Sequence, residues 1–83
     1  VISGRVQGVG FRWFVHDAAA REGVDGWVRN RSDGCLEAEI EGECEAVDRV
    51  EAALRRGPVA ARVEDVSVEE QAPGGRRTGF SIR

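Results

Sequence analysis

The segment of residues 36–41 constrains the fold more than any other part of the chain, because it alternates strictly between apolar and acidic residues. The apolar residues are Leu36, Ala38 and Ile40, and the acidic residues are Glu37, Glu39 and Glu41. A side-chain period of two is typical of a β-strand with one buried and one solvated face. The alternation therefore predicts an antiparallel sheet with one wet face. It also favours a solvated surface, rather than an acid/base or metal site, for the three glutamates.

Two other stretches have the period of an amphipathic helix. Residues 11–22 and 43–56 place apolar side chains at spacings of three and four, so that each stretch has one apolar face. Gly23 is expected to end the first helix, and Gly57-Pro58 the second.

Further strands flank these helices. They are predicted at residues 1–6, 24–30, 62–71 and 80–82, with a hairpin turn at 31–34 and a loop at 73–77. The apolar parity slips between Val63 and Val66, which indicates a bulge or an entry bend in that strand.

The resulting order is strand, helix, strand, strand, helix, strand, followed by a short extra strand. Two helices of this length cover one face of a four-stranded antiparallel sheet, and right-handed crossovers favour a ferredoxin-like βαββαβ sandwich. We therefore predict an α+β fold with two helices on one face. At 83 residues the chain is expected to form a single domain over residues 1–83.

The loop between the first strand and the first helix is rich in glycine. Gly8 and Gly10 allow backbone conformations that a Cβ would forbid, so that several consecutive N–H groups of the loop can converge on one anion. The positive end of the helix dipole would add to this attraction. Arg12 stands in the first turn, where a cation opposes the dipole, and this locally unfavourable charge suggests a functional role.

The alternatives for this loop are few. Many Gly-x-Gly turns are only connectors between a strand and a helix. A Walker loop requires a Lys, which this chain lacks, and a dinucleotide fingerprint that begins at Gly8 requires a small residue where Trp13 stands.

Asn30 is the second candidate site residue. It closes the strand that follows the first helix, and a tight turn joins that helix to the strand. The far end of the strand can therefore return beside the glycine-rich loop, so that Arg12 and Asn30 could share one site. The alternative is a purely structural role, since Asn is a favoured turn residue and Asn30 would open the hairpin.

Composition excludes several functions. The net charge is -3, and all twelve basic residues are Arg, which argues against bulk nucleic-acid binding. No apolar run approaches the roughly 20 residues of a membrane span, and a cytoplasmic location is expected. The spacing of Cys35, Cys44 and the single His16 matches no metal motif, so that no metal and no cofactor is expected. Two free thiols are favoured, with a disulfide as the alternative.

Two motifs resemble the acylphosphatase family. Gly4-Arg5-Val6-Gln7-Gly8-Val9-Gly10-Phe11-Arg12 matches the first signature, and Gly26-Trp27-Val28-Arg29-Asn30, with Gly34, matches the second. The similarity continues to the final Phe80-Ser81-Ile82-Arg83. It implies a ferredoxin-like sandwich that hydrolyses acyl phosphates to carboxylate and inorganic phosphate without a metal or a phosphoenzyme.

The resemblance also implies roles for the candidate residues. The backbone amides of Gln7, Gly8, Val9, Gly10, Phe11 and Arg12 would hold the phosphate. The Arg12 side chain would grip the same group, and Asn30 would orient the attacking water. A small hydroxyl residue commonly follows this Asn in the family, whereas this chain has Arg31, and Ser32 is the candidate substitute. The partners implied are a small acyl phosphate and inorganic phosphate as product and competitive inhibitor, with the protein acting as a monomer.

Three competing functions remain at this stage. A non-catalytic module could bind a small anion with the loop alone, without any need for Asn30. An RNA-binding module of this shape would display aromatic residues on a central strand, where this chain has glutamates. The chain could also be the acylphosphatase-like domain of a larger carbamoyltransferase.

Overall fold

The computed structural model describes residues 1–67 and 79–83. Within these residues the helices and strands follow one another in the predicted order. They are β1 (Ile2–Arg5), α1 (Phe11–Glu22), β2 (Asp25–Asn30), β3 (Leu36–Glu41), α2 (Cys44–Arg56), β4 (Arg62–Val66) and β5 (Phe80–Ile82). The bounds of α1 are those predicted. The outer part of the predicted strand 62–71, from residue 68 onward, and the predicted loop 73–77 lie outside the described residues.

The strands form one sheet in the order β4-β1-β3-β2-β5. β1 pairs antiparallel with β3 and β4, and β2 pairs antiparallel with β3. This is the predicted ferredoxin-like arrangement. The short extra strand β5 lies beside β2 and runs parallel to it.

The predicted irregularity of β4 is a β-bulge. Ser3 lies opposite Asp65 and Gly4 lies opposite Val63, so that Glu64 is an extra residue without a counterpart on β1. The extra residue reverses the side-chain alternation. The slip in apolar parity between Val63 and Val66 is thereby confirmed and explained.

The core lies between the sheet and the two helices. Its fully buried members include Phe11 and Val15 from α1, Val50 from α2, and Val28 and Leu36 from the sheet. Burying each of these side chains contributes about 1.5–3 kcal/mol. Since Phe11 is the first residue of α1, its burial fixes the start of the helix, and the loop before it, against the sheet.

Both helices end on the predicted glycines. Gly23 has a φ of 67°, and the following amide of Val24 donates to the Ala19 carbonyl at 2.9 Å. Gly57 has a φ of 68° and donates to the Ala53 carbonyl at 2.9 Å. Neither helix of the described chain has the length and the apolar character needed to cross a membrane.

Candidate active site

The loop between β1 and α1 leaves a row of backbone amides unpaired. Gly8 and Gly10 adopt left-handed conformations, with φ of 73° and 75°. The first helical hydrogen bond runs from the Phe14 amide to the Gly10 carbonyl at 3.0 Å. Within residues 1–67 and 79–83, no amide from residue 7 to residue 13 donates to a backbone or side-chain acceptor. We call this segment, residues 7–12, the cradle.

Arg12 adds a cation to the cradle. It lies in the first turn of α1, where no acidic residue is present, and its side chain is exposed. Its guanidinium forms no ion pair with any residue in the described ranges. A guanidinium and several free amides at one helix N-terminus form a site suited to a phosphate or carboxylate.

Asn30 lies at the same end of the sheet. It is the last residue of β2 and pairs with Leu36, which in turn lies opposite Ile2 of β1. Because β1 and β3 are antiparallel, the chain after Ile2 continues along the turn that joins β2 to β3. This register carries the loop after β1 to the hairpin that begins at Asn30. Asn30 itself is exposed.

Gln7 connects the two parts of the site directly. Its side-chain amide nitrogen Nε2 donates to the carbonyl oxygens of Arg31 at 2.7 Å and Cys35 at 3.0 Å, and these bonds are partly buried. From the sequence, only a backbone role was expected for Gln7. The acceptors lie 24 and 28 residues further along the chain, so that no local pattern signals the contact.

The hairpin turn after Asn30 is held by its own hydrogen bonds. The Arg31 amide donates to the Cys35 carbonyl at 2.8 Å, and the Cys35 amide donates to Asp33 Oδ1 at 3.1 Å. The Cys35 amide, and secondarily the Arg31 charge at 3.0 Å, hold the pKa of Asp33 below its ordinary value. Among the described residues, Arg31 pairs with Asp33 and the Ser32 hydroxyl forms no hydrogen bond. Neither side chain supports Asn30 by hydrogen bonding.

The uncovered face of the sheet carries paired charges. Arg29 forms an ion pair with Glu37, and Trp27 Nε1 donates to Glu39 at 2.7 Å. The Arg83 guanidinium lies 4.8 Å from the centre of the Trp27 ring. These contacts confirm that the alternating glutamates form a solvated sheet face. An open groove of about 680 Å³ crosses this face, lined by Trp27, Arg29, Asn30, Glu37 and Arg83.

Other potential site residues do not converge on a metal site. In the part of the chain that the structure describes, no three His, Cys, Asp or Glu side chains are close enough to share an ion. Cys35 is half-buried, Cys44 is exposed, and both are free thiols. His16 is half-buried and contacts the rings of Trp13 and Phe80. The fold and site together define a ferredoxin-like domain with a loop of free amides beside an arginine at a helix N-terminus.

Comparison with known proteins agrees with this class. The acylphosphatase family model matches residues 1–82. An acylphosphatase of Anaeromyxobacter dehalogenans is 52% identical over 83 residues, which are 100% of this chain and 89% of that protein. The crystal structure of the acylphosphatase from Bacillus subtilis superimposes with a TM-score of 0.91 at 40% identity, covering 99% of this chain and 91% of that one.

A longer protein contains the same fold. HypF from T. kodakarensis matches with a TM-score of 0.86 at 30% identity, and the match covers 99% of this chain but only 11% of HypF. The fold thus also occurs as a domain within a larger chain. The family model and the full-length relatives nevertheless agree on one assignment. This chain belongs to the acylphosphatase family, and the relatives that it resembles are acylphosphatases, which are hydrolases.

Proposed function

We propose that the chain hydrolyses acyl phosphates at the cradle, with Arg12 and Asn30 as the catalytic side chains. The observation that carries this proposal is the row of amides in residues 7–12, which have no acceptor within the described part of the chain, beside an Arg12 that forms no ion pair there. The cradle and Arg12 would hold the phosphoryl oxygens. Asn30, brought alongside by the Gln7 contact to the hairpin, would position the attacking water.

The chemistry requires little beyond these groups. The water oxygen attacks phosphorus, the bond from phosphorus to the acyl oxygen breaks, and its electron pair leaves with the carboxylate. A carboxylate has a conjugate-acid pKa of about 4, so that it departs without a proton donor. The proton of the water passes to an oxygen of the phosphate product. Catalysis then depends on positioning and on stabilising negative charge at the equatorial oxygens, which Arg12 and the amides supply.

The same site binds the product. Inorganic phosphate presents the oxygens that the cradle recognises, so that we expect it to inhibit competitively. We further propose that the enzyme is a cytoplasmic monomer. The free thiols of Cys35 and Cys44 support a reducing compartment.

The test is hydrolysis of benzoyl phosphate by the purified chain in the presence of a chelator, followed by ultraviolet absorbance. Asn30→Ala is expected to lower kcat by about a hundred-fold to a thousand-fold, the cost of one positioned donor, while phosphate inhibition is largely retained. Arg12→Ala should weaken both turnover and phosphate inhibition, because it removes the cation that grips the phosphoryl group.

Arg21→Ala is the matched control for charge. Arg21 is an exposed arginine in the last turn of the same helix, at the end opposite the cradle, and its loss should leave kcat unchanged. Turnover by Asn30→Ala at the parent rate would refute the assigned mechanism. A folded parent that binds phosphate without turnover would instead be the non-catalytic binding module.

A further inference from the structure

We propose that Gln7 is a positioning residue, whose side-chain amide fixes the hairpin that carries Asn30 at a set distance from the cradle. The inference rests on the proposed function, since it assigns Gln7 an effect on the water that Asn30 would orient. It adds to that function a residue whose side chain acts across two elements of the fold.

The contact uses both side-chain donors of Gln7. A glutamine amide carries two N–H groups, and here the two acceptors are the carbonyls of Arg31 and Cys35, at 2.7 and 3.0 Å. The same two carbonyls accept the amides of Gly34 at 3.3 Å and Arg31 at 2.8 Å. Both lone pairs of each oxygen are therefore engaged, and Gln7 completes the hydrogen bonding of the turn.

No other side chain makes this connection. In the ranges 1–67 and 79–83, the hydrogen bonds between the loop of residues 6–10 and the hairpin turn all come from Gln7 Nε2. The bonds are partly buried, which protects them from competition with water. Asn is one methylene shorter, Glu has no donor when ionised, and Met has none at all.

The two ends of the contact lie beside the reacting groups. The backbone amide of Gln7 opens the cradle, and Arg31 directly follows Asn30 in the chain. A shift of the hairpin against the loop changes the distance from the oriented water to phosphorus. The cradle keeps its shape in that case, since its form depends on the conformations of Gly8 and Gly10 and on the start of α1.

Steady-state kinetics on benzoyl phosphate test the proposal. Gln7→Met keeps the length of the side chain and removes both donors. It should lower kcat by about ten-fold to a hundred-fold, the effect of a misplacement near 1 Å. The inhibition constant for inorganic phosphate should stay close to that of the parent. The assays are made at a temperature where circular dichroism shows every variant folded. If Gln7 served stability alone, kcat would not fall while the inhibition constant stays unchanged.

Arg21→Ala is the control. It deletes an exposed arginine at the end of α1 opposite the cradle, and it leaves the Gln7 contact to the hairpin intact. Its kcat should remain near the parent value. If Gln7→Met does not fold, Gln7→Asn replaces it, because its amide is polar but too short to reach both carbonyls. The same loss of kcat is expected.

A double-mutant cycle with Asn30→Ala decides whether Gln7 acts through Asn30. In the Asn30→Ala background, Gln7→Met should cost little further turnover, because residues that act as a unit are non-additive. Losses that multiply would overturn the proposal, and so would a Gln7→Met variant with the parent kcat. A parent without any turnover would overturn the proposed function itself, which is a different outcome.

Discussion

Gly8 and Gly10 set the backbone conformation of the cradle, whose free amides are the proposed contacts to the phosphate. Both residues have a φ near 75°, and the space where a Cβ would stand is open at each of them. The requirement for glycine is therefore conformational and not steric. The amides of the cradle take their positions from the backbone, and Val9, between the two glycines, packs against the core.

A comparison of two substitutions at Gly8 tests this view. Ala should lower the free energy of unfolding by about 1–2 kcal/mol and weaken phosphate binding, since the left-handed conformation is strained for an L-residue. Asn has the same Cβ but tolerates this conformation, so that its effect should be smaller. Urea unfolding and phosphate inhibition measure both effects. Equal losses in the two variants would show that bulk, and not conformation, matters at this position.

The sequence predicted the conformation of the loop better than its side-chain contacts. Glycine spacing and the position of Arg12 in the first turn are local properties, and the structure shows the positive φ angles that they indicated. The bond between Gln7 and the hairpin is tertiary, because it depends on the offset of β1 against β3. Glutamine in a loop gives no local signal of such a partner.

Among the elements, β2 carries Asn30, and at one residue, Gly26, its backbone lies very close to the backbone of β3. Gly26 has a φ of 139°, and a Cβ there would overlap the carbonyl oxygen of Glu39 on β3. The Gly26 amide also donates to the Gly79 carbonyl at 3.0 Å, just before β5. The strand is therefore closely held between two neighbours at this residue.

Gly26→Ala should consequently be more harmful than Gly23→Ala. Both positions have positive φ, but nothing lies near a Cβ at Gly23, whereas backbone of β3 blocks one at Gly26. Forcing the strands apart should cost a further 1–3 kcal/mol or so, as overpacking does. Chemical denaturation of the two variants gives the comparison. Equal destabilisation would mean that β2 and β3 separate there without cost.

Most elements were predictable from the sequence, because apolar side chains recur at a different spacing in helices and in strands. The alternation over residues 36–41, the helical spacing of α1 and the parity slip in β4 each reflect local geometry, and the structure confirms all three. The partner of β5 was not predicted. A strand of three residues contains no information on whether it pairs parallel or antiparallel, and its place beside β2 depends on the completed sheet.

For the whole molecule, phosphate binding and folding are linked. The cradle exists only when β1 and α1 are packed together in the folded domain, so that inorganic phosphate should bind the folded state alone. At about ten times its dissociation constant it should raise the free energy of unfolding by about 1.4 kcal/mol. For a domain of this size the melting temperature should rise by about 6–11 °C.

Thermal unfolding at increasing phosphate concentration, with sulfate-free buffer at constant ionic strength, measures this effect. Arg12→Ala should show a smaller shift at equal phosphate, and Arg21→Ala should match the parent. A melting temperature that did not respond to phosphate in the parent would contradict binding at the cradle.

The place of β1 between β4 and β3 has a consequence for how the protein is made. Translation produces β1 before the other strands, yet one of its two neighbours, β4, reaches from residue 62 to residue 66. Ile2 cannot pair on that side until Val66 has been synthesised. A ribosome-bound chain that stops short of β4 therefore leaves one edge of β1 without its partner strand. The domain can complete its sheet only after translation has passed residue 66, when β1 can pair with both β3 and β4.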